Sequence, residues 1–393
     1  MVRPARSSRS AAAPGTAPIA AAVDALLRDF HRQRPIRGGS LLITIFGDSI
    51  APRGGAITLG SLIDLARPFG LAERLVRTSV ARLARDGWLV GTRNGRRSEY
   101  RLAPSGQQRF AEATRRIYGP IPSSWNGEWT LLVLPPASGG RAQNVRDELR
   151  WLGFGQVSPG VFAHANWNLG EARTGLDGLE GIAEGLLFKS SSESLKTDRR
   201  LVATGWNLGE LARRYRKFVA TFSPILEAAE PATSGAQQTS TRDPQGPSGP
   251  QTRTWDPPGY GELRTPTRDP HGPNALQPPA SDPRVPGALR LPTSAPRAPG
   301  SISAEAAFVI RTLLIHEYRK IHLQDPLLPP GLLPDDWVGA AAYELSRRVY
   351  SAVFEAAEAH LSATACRMTE PLPRAEAATY ERFGGLARSG SLG

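Results

Sequence analysis

Residues 72–89, AERLVRTSVARLARDGWL, carry arginines at a spacing suited to anion binding. The guanidinium group keeps its charge, and its planar fork donates paired hydrogen bonds to phosphate oxygens or to the edge of a guanine. At the helical step of about 100° per residue, one side of this segment is cationic. It consists of Arg74, Arg77, Thr78, Ala81, Arg82 and Arg85. The other side is apolar and consists of Leu75, Val76, Val80, Leu83 and Ala84. The pattern therefore predicts a helix with one face toward a core and one cationic face toward an anion.

A solvated surface helix is the alternative interpretation, because arginine is a good helix former. Such helices usually mix charges so that residues four apart form ion pairs. Here the acids near the cationic face are Glu73 and Asp86, one at each end. The face is thus predicted to be left for a polyanion, and we favour nucleic-acid binding.

The elements that position this helix follow from its flanks. Residues 58–70, TLGSLIDLARPFG, predict a short helix that Thr58 or Ser61 caps and that Pro68 and Gly70 end. A helix, a tight glycine turn and the basic helix in succession indicate a helix-turn-helix.

A basic hairpin is predicted after Gly87. Residues 88–92 and 98–102 have strand patterns, and the joining RNGRR (93–97) contains Asn-Gly, a strong hairpin signal. The hairpin residues assigned to DNA contact are Arg93, Arg96 and Arg97. Together these elements predict a winged helix, with the basic helix in the major groove and the hairpin against phosphates or the minor groove.

Composition supports a polyanionic partner and limits other classes. The chain has 393 residues, a net charge of +12 and a pI near 10.4, although a GC-rich genome would also enrich arginine. The one cysteine, Cys366, permits neither an internal disulfide nor a cysteine-based zinc site. We expect residues 1–22 to be a disordered tail rather than a signal sequence. No segment is long and apolar enough to span a membrane, so we expect a cytoplasmic protein.

The remaining pattern predicts an α+β chain of three domains. The winged-helix domain spans 23–119, including helices over 23–31, 40–50 and 105–119. A central ferredoxin-like domain over 120–205 combines strands at 128–135, 154–165 (broken or bulged) and 185–191 with helices at 141–152 and 175–183.

The third predicted domain is helical and discontinuous, over 206–229 and 301–362. Its helices are 206–229, interrupted near Pro224, 303–323, capped by Ser303, and 337–361. Residues 230–300 are rich in proline and glycine, and TRDPQGP (241–247) recurs as TRDPHGP (267–273). We interpret this stretch as a disordered linker, and we expect 363–393 to be a flexible tail.

Common catalytic motifs are absent from the sequence. It contains no G-x-S-x-G, phosphate-binding loop, dinucleotide fingerprint or H-E-x-x-H. We interpret His316, His322 and His360 as core or helix-end histidines rather than metal ligands. The expectation is a protein that is not an enzyme and has no cofactor or metal.

Several segments in order resemble the PaaX family of bacterial repressors, first associated with phenylacetate catabolism. They include SLLITIFGD, GLAERLVRTSVARLARDGWL, GRRSEYRL, RRIYGP, WLGFG, SPGVF and HEYRK…DPLLPPGLLPDDWVG. The resemblance covers about 40–229 and 303–361. It implies a winged-helix domain, a central domain similar to a CRISPR-associated nuclease fold, a helical C-terminal domain, and a homodimer released from operator DNA by phenylacetyl-CoA. The long insertion between 229 and 303 departs from the family pattern and leaves the effector's identity open.

An acyl-CoA effector would need an apolar slot and cations for its phosphates. Guided by the resemblance, we expect Tyr318, Trp337 and Tyr343 to wall the slot, and Arg319, Lys320 and Arg347 to hold the phosphates. An ordinary aromatic core is the alternative. A metal-dependent nuclease, the alternative function, needs carboxylates for magnesium, whereas EWTLLVLPP runs into prolines without an aspartate. We expect the central domain to support dimerisation.

Overall fold

The computed structural model of the chain describes residues 17–33, 38–135, 139–179, 181–182, 184–229, 302–368 and 370–386. Helices and two antiparallel sheets make up these ranges, which confirms the α+β class. The helices are α1 (Ala17–Arg32), α2 (Gly38–Ile45), α3 (Leu59–Ala66), α4 (Glu73–Arg85), α5 (Pro104–Tyr118), α6 (Gly139–Trp151), α7 (Leu169–Leu176), α8 (Leu195–Gly205), α9 (Leu208–Ala229), α10 (Ala304–His322), α11 (Gly339–Thr364) and α12 (Ala377–Tyr380). The strands are β1 (Ala56–Thr58), β2 (Leu89–Asn94), β3 (Arg97–Leu102), β4 (Trp129–Val133), β5 (Gly155–Ser158), β6 (Val161–His164) and β7 (Leu186–Ser190).

Local signals determine where α3 and α4 begin and end. The Thr58 side chain accepts a hydrogen bond from the Ser61 backbone N–H and so caps α3. A 3₁₀ turn over Arg67–Phe69 then ends at Gly70, whose φ of 67° lies in the left-handed region that favours glycine. The predicted helix, turn and second helix are confirmed as elements.

The hairpin joins a three-stranded sheet in the order β1-β3-β2. Asn94 pairs with Arg97, so Gly95 and Arg96 form a two-residue turn, and Gly95 has a φ of 58°. Pairing of Ala56–Thr58 with β3 adds a third strand, which was not predicted from the sequence.

The central sheet has the order β5-β6-β4-β7 and is antiparallel throughout. The segment 154–165, predicted as a broken or bulged strand, consists of two strands with a turn at Gly160 and a register shift between Gln156 and Ser158. The predicted helix at 175–183 is wrong, because a capping box between Asn168 and Glu171 starts that helix at Leu169. Helix α8 was missed, although the Ser194 side chain caps it by accepting from the Thr197 N–H.

Helices α9, α10 and α11 pack together in one core with α1 and α2. Helix α9 continues through Pro224, so the predicted interruption is wrong. Phe308 of α10 lies with its ring 5.8 Å from that of Phe69 after α3. The predicted first and third domains therefore share a hydrophobic core rather than each enclosing its own.

That shared core reaches one face of the central sheet through Trp129. A smaller cluster covers the opposite face, since side chains alternate along a strand. It includes Leu132 of β4, Leu149 of α6 and Phe162 of β6.

The chain after α11 is ordered as far as Leu386, so the predicted flexible tail over 363–393 is wrong for its described part. Arg382 and Phe383 are buried, with exposures of 6% and 2%. The predicted tail over 1–22 is likewise wrong for residues 17–22, which belong to α1. The predicted linker over 230–300 lies outside the described residues. None of the described helices is long and apolar enough to cross a membrane.

Candidate nucleic-acid interface

Helix α4 has the two faces that its sequence predicts. Val76, Val80 and Leu83 are buried, whereas the four arginines at 74, 77, 82 and 85 are exposed, as is Thr78. Ser79 is also buried, a position the periodicity did not assign to either face. The core on one side therefore holds the cationic face toward solvent.

Two of the four arginines meet the acids at the ends of the helix. Arg77 Nη2 lies 2.7 Å from Glu73 Oε1, and Arg85 Nε lies 3.3 Å from Asp86 Oδ1. The two arginines and their two acidic partners are each at least 45% exposed. Exposed ion pairs of this kind contribute about 0–1 kcal/mol to stability. Within the described ranges Arg74 and Arg82 form no ion pair. The positive charge of this face is thus partly compensated. A polyanion can replace the two carboxylates at little cost in free energy.

The hairpin arginines differ from one another. Arg96 is exposed at the turn, and Arg93 Nε donates to the Gly95 carbonyl at 3.1 Å. Arg97 Nη1 instead donates to the Met368 carbonyl at 3.1 Å. Arg97 is therefore engaged by the segment after α11, while Arg93 and Arg96 present charge to solvent.

The segment after α11 braces the hairpin and α3 from the side. The Met368 N–H donates to Glu99 Oε2 at 2.9 Å, and the Thr58 N–H donates to the Cys366 carbonyl at 3.1 Å. These contacts couple residues more than 260 positions apart, so no local pattern could have predicted them. They attach β1 and β3, the second strand of the basic hairpin, to the segment after α11.

The aromatic slot predicted for an effector is filled. Tyr318 and Tyr343 do converge, but the Phe383 ring lies between them, with centroids 6.4 Å and 5.5 Å away. Trp337 packs edge-on against Tyr215 at 5.8 Å. Tyr318 belongs to the core, and Trp337 and Tyr343 pack half-buried against it. Phe383, from the segment predicted to be a tail, packs against both tyrosines.

The cations expected beside that slot are also dispersed. Arg319 donates to the Ser40 carbonyl at 2.7 Å and to Thr44 Oγ1 at 2.8 Å. Lys320 Nζ lies 2.9 Å from Glu317 Oε1, and Arg347 pairs with Glu344 at 2.6 Å. These three side chains make separate contacts and do not form one phosphate site.

The histidines behave as hydrogen-bonded or packed groups. His316 Nδ1 lies 3.0 Å from Thr44 Oγ1, His322 Nε2 donates to the Arg116 carbonyl at 2.9 Å, and His360 stacks on Phe308. Burial lowers the pKa of His322 to about 4, so it is neutral at pH 7. Within the part of the chain that the structure describes, no three His, Cys, Asp or Glu side chains are placed to hold a metal ion.

A buried ionic cluster ties the first part of the chain to the last. Asp48 lies in a π-helical turn after α2 and accepts hydrogen bonds from Arg311, Arg382, Tyr118 and Tyr350. Burial opposes ionisation of this carboxyl, but the two arginines and the two hydroxyls outweigh it, and the pKa of Asp48 lies below its ordinary value. Asp48 is therefore a carboxylate at neutral pH.

The fold and the charged surface define an α+β chain that presents a basic helix and a basic hairpin on a core shared with C-terminal helices. The chain belongs to the PaaX family. Family models match it at residues 37–106 (PaaX-like protein), 122–202 (PaaX protein central Cas2-like domain) and 288–363 (PaaX-like protein C-terminal domain). Transcriptional repressor PaaX of Escherichia coli (strain K12) is 30% identical over 356 residues, which cover 90% of this chain and 92% of that protein.

Among solved structures, uncharacterized protein Rv0674 from Mycobacterium tuberculosis is similar with a TM-score of 0.41 and 16% identity. The match covers 76% of this chain and 89% of that one. At this level the likeness carries no argument about function.

Proposed function

We propose that this protein is a transcriptional repressor that binds operator DNA through a winged-helix domain over residues 23–119. The observation that carries the proposal is the exposed arginine face of α4, followed directly by the basic hairpin β2–β3. Similarity to a relative named as a transcriptional repressor supports it.

In this proposal α4 enters the major groove. Its cationic face presents Arg74, Arg77, Thr78, Arg82 and Arg85 to base edges and phosphates. Arg77 and Arg85 exchange their exposed carboxylate partners for DNA. Arg93 and Arg96 contact the backbone beside the groove, whereas Arg97 orients the hairpin through its bond to Met368.

The repressor acts as a homodimer in the cytoplasm, because one helix-turn-helix reads one half-site and two copies read a palindrome. The central domain, 120–205, supports dimerisation. The third domain combines 206–229 with 301–362. An acyl-CoA thioester such as phenylacetyl-CoA releases the operator by binding the conformation that holds DNA less well.

The experiment is a shift assay on the DNA upstream of the gene, with Arg77→Ala and Arg96→Ala. Arg77→Ala should remove the preference for operator over random DNA, a loss of about 1–3 kcal/mol if the contact is bidentate to a base. Arg96→Ala should weaken both DNAs equally and reduce the salt dependence. Arg347→Ala, which breaks a similar exposed pair on α11, serves as the control.

Unchanged operator affinity in both Arg77→Ala and Arg96→Ala would exclude the winged-helix proposal. The effector part is tested separately, by adding phenylacetyl-CoA. A tenfold weakening corresponds to about 1.4 kcal/mol of coupling, and free phenylacetate should act much less. If no acyl-CoA changes the shift, effector release fails while DNA binding stands.

A further inference from the structure

An aromatic cavity of about 410 Å³ lies where α2, α5, α6 and α10 meet the base of the hairpin. Trp88, Phe110 and Trp151 form its aromatic walls, and the rings of Trp88 and Phe110 meet edge to face at 5.9 Å. Ala113 and Ile117 line it from α5. Its volume and lining are those of a site for a small, flat apolar group.

The polar groups of this aromatic cavity are arranged unequally. Arg319 and Thr44 lie at one wall and are hydrogen-bonded to each other at 2.8 Å. Asp147 and Glu148 lie at the α6 side. A donor at one wall suits a carbonyl or carboxyl oxygen. On the α6 side Asp147 already pairs with Arg150 at 2.8 Å, and the described lining there supplies no cation for a phosphate. A ligand with phosphates must therefore extend in another direction.

A second cavity, the basic groove, adjoins the first and has a volume of about 760 Å³. Its charged lining residues include Arg101, Arg115 and Arg367 together with Glu376 and Glu381. Arg101 has a carboxylate 3.8 Å away on Glu99, whereas Arg115 and Arg367 form no ion pair among the described residues. The balance of charge favours a polyanion.

The two cavities share the residues Gly47, Phe110, Thr114 and Tyr118. Phe110 stands at this boundary and packs close to Gly47, where a Cβ would lie 3.0 Å from Phe110 Cε1. For one ligand to occupy both cavities, the Phe110 side chain must rotate away from Gly47.

We propose that the aromatic cavity and the basic groove form one binding site for an aryl thioester of coenzyme A. The aryl group lies among Trp88, Phe110 and Trp151, the thioester carbonyl faces Arg319, and the phosphates lie along Arg115 and Arg367. This assignment rests on the proposed effector-controlled repressor, and it replaces the slot expected between Tyr318 and Tyr343.

The location of this site explains how ligand binding would affect the DNA-binding surface. Trp88 follows α4 directly, and its N–H donates to the Leu83 carbonyl at 2.9 Å, while its carbonyl accepts from the Ala103 N–H at 3.0 Å. A ring inserted against Trp88 thus acts on the residue that joins the basic helix to the hairpin. Thioester binding would thereby change the angle between α4 and the hairpin, and this change would weaken DNA binding.

The test uses the full-length protein, titration calorimetry with phenylacetyl-CoA and the operator shift assay. Ala113→Trp fills the aromatic cavity and should weaken thioester binding at least tenfold. Arg115→Glu, at an exposed position, should weaken thioester binding at least tenfold, and Arg115→Lys should recover most of it. Arg28→Glu on α1 makes the same change of charge at an exposed position away from both cavities and should bind as the wild type does.

The outcomes separate this inference from the proposed function. If the wild type responds to the thioester and the Ala113 and Arg115 variants respond equally well, the site lies elsewhere and the repressor proposal stands. If Arg115→Glu weakens DNA but not thioester binding, the groove is a DNA surface and the assignment is overturned. If the wild type binds operator and ignores every acyl-CoA, effector release itself has failed. Because Arg115 is exposed, its variant decides the matter even if Ala113→Trp does not fold.

Discussion

Arg311 Nε lies 2.7 Å from Asp48 Oδ2, and both side chains are only 1% exposed. Arg311 also pairs with Glu358 of α11 at 2.6 Å, and Arg53 pairs with the same glutamate. Arg382 adds a third guanidinium, 3.0 Å from Asp48 Oδ1. One buried network thus joins the turn after α2, helices α10 and α11, and the chain beyond them.

Asp48→Asn should destabilise the protein by about 3–5 kcal/mol, because it leaves buried cations without their carboxylate. The free energy of unfolding from urea denaturation measures the change. Asp64→Asn, which removes an exposed partner of Arg67, should stay within about 0.5 kcal/mol of wild type. A loss below 1 kcal/mol for Asp48→Asn would show that Glu358 is sufficient, without Asp48, to compensate the buried arginines.

Phe383→Ala should cost about 3–5 kcal/mol, since it removes a fully buried ring from among four tyrosines. Alanine also has a Cβ, so it keeps the strain of the positive φ of 55° and gains nothing there that would offset the loss. Thermal and urea unfolding provide the measurement, and Glu381→Ala, its exposed neighbour, is the matched control. Equal stability of the two variants would mean that the segment after α11 is not part of the core in solution.

Stability should decline between pH 6.5 and pH 4 through His164. Burial lowers the pKa of this histidine to about 4, while its Nδ1 accepts the Asn166 and Trp167 N–H groups and its Nε2 donates to the Leu152 carbonyl. The folded pKa lies below the unfolded value of about 6.5, so the contribution is complete above pH 6.5 and is lost as the pH falls toward 4. It amounts to about 3 kcal/mol.

His164→Gln should therefore be less stable than wild type at pH 7 and should lose less stability on acidification. Urea unfolding at pH 7 and pH 4.5 gives the comparison, and the contributions of His316 and His322 cancel because both proteins contain them. If the stability of both proteins depends on pH in the same way, groups other than His164 cause the loss of stability on acidification.

Deleting residues 236–296 should leave folding and DNA binding nearly unchanged. Helices α9 and α10 pack in one core, and the entropy of closing the connection changes by only about 0.6 kcal/mol for each doubling of its length. Unfolding and shift assays on the deleted protein are the measurement. Limited proteolysis of the intact chain should cut first within 236–296, and protection of this segment would show that it is ordered.

Local signals made part of this fold predictable. Periodicity indicated both faces of α4, the Thr58 cap indicated the start of α3, and Asn-Gly indicated the hairpin. Helix α8 was missed, although Ser194 followed by a helical segment is a cap signal of the same kind.

Long-range contacts were not predictable from one sequence. Arg382 reaches Asp48 across 334 positions, and no pattern near residue 382 indicates burial. A charged residue in the mostly apolar segment SLLITIFGDSI was a hint that Asp48 needed a partner. The predicted aromatic slot contained suitable residue types, but only the position of Phe383 shows that the space between them is full.

The placement of Arg382 and Phe383 has a consequence for synthesis on the ribosome. Domains generally fold from the N-terminus as they emerge, yet Asp48 and Tyr118 receive their last partners from residues translated more than 260 positions later. A nascent chain that displays α4 and the hairpin still lacks the groups that neutralise and fill the core behind them. We therefore expect the core behind the basic surface to be complete only after residue 383 has left the ribosome.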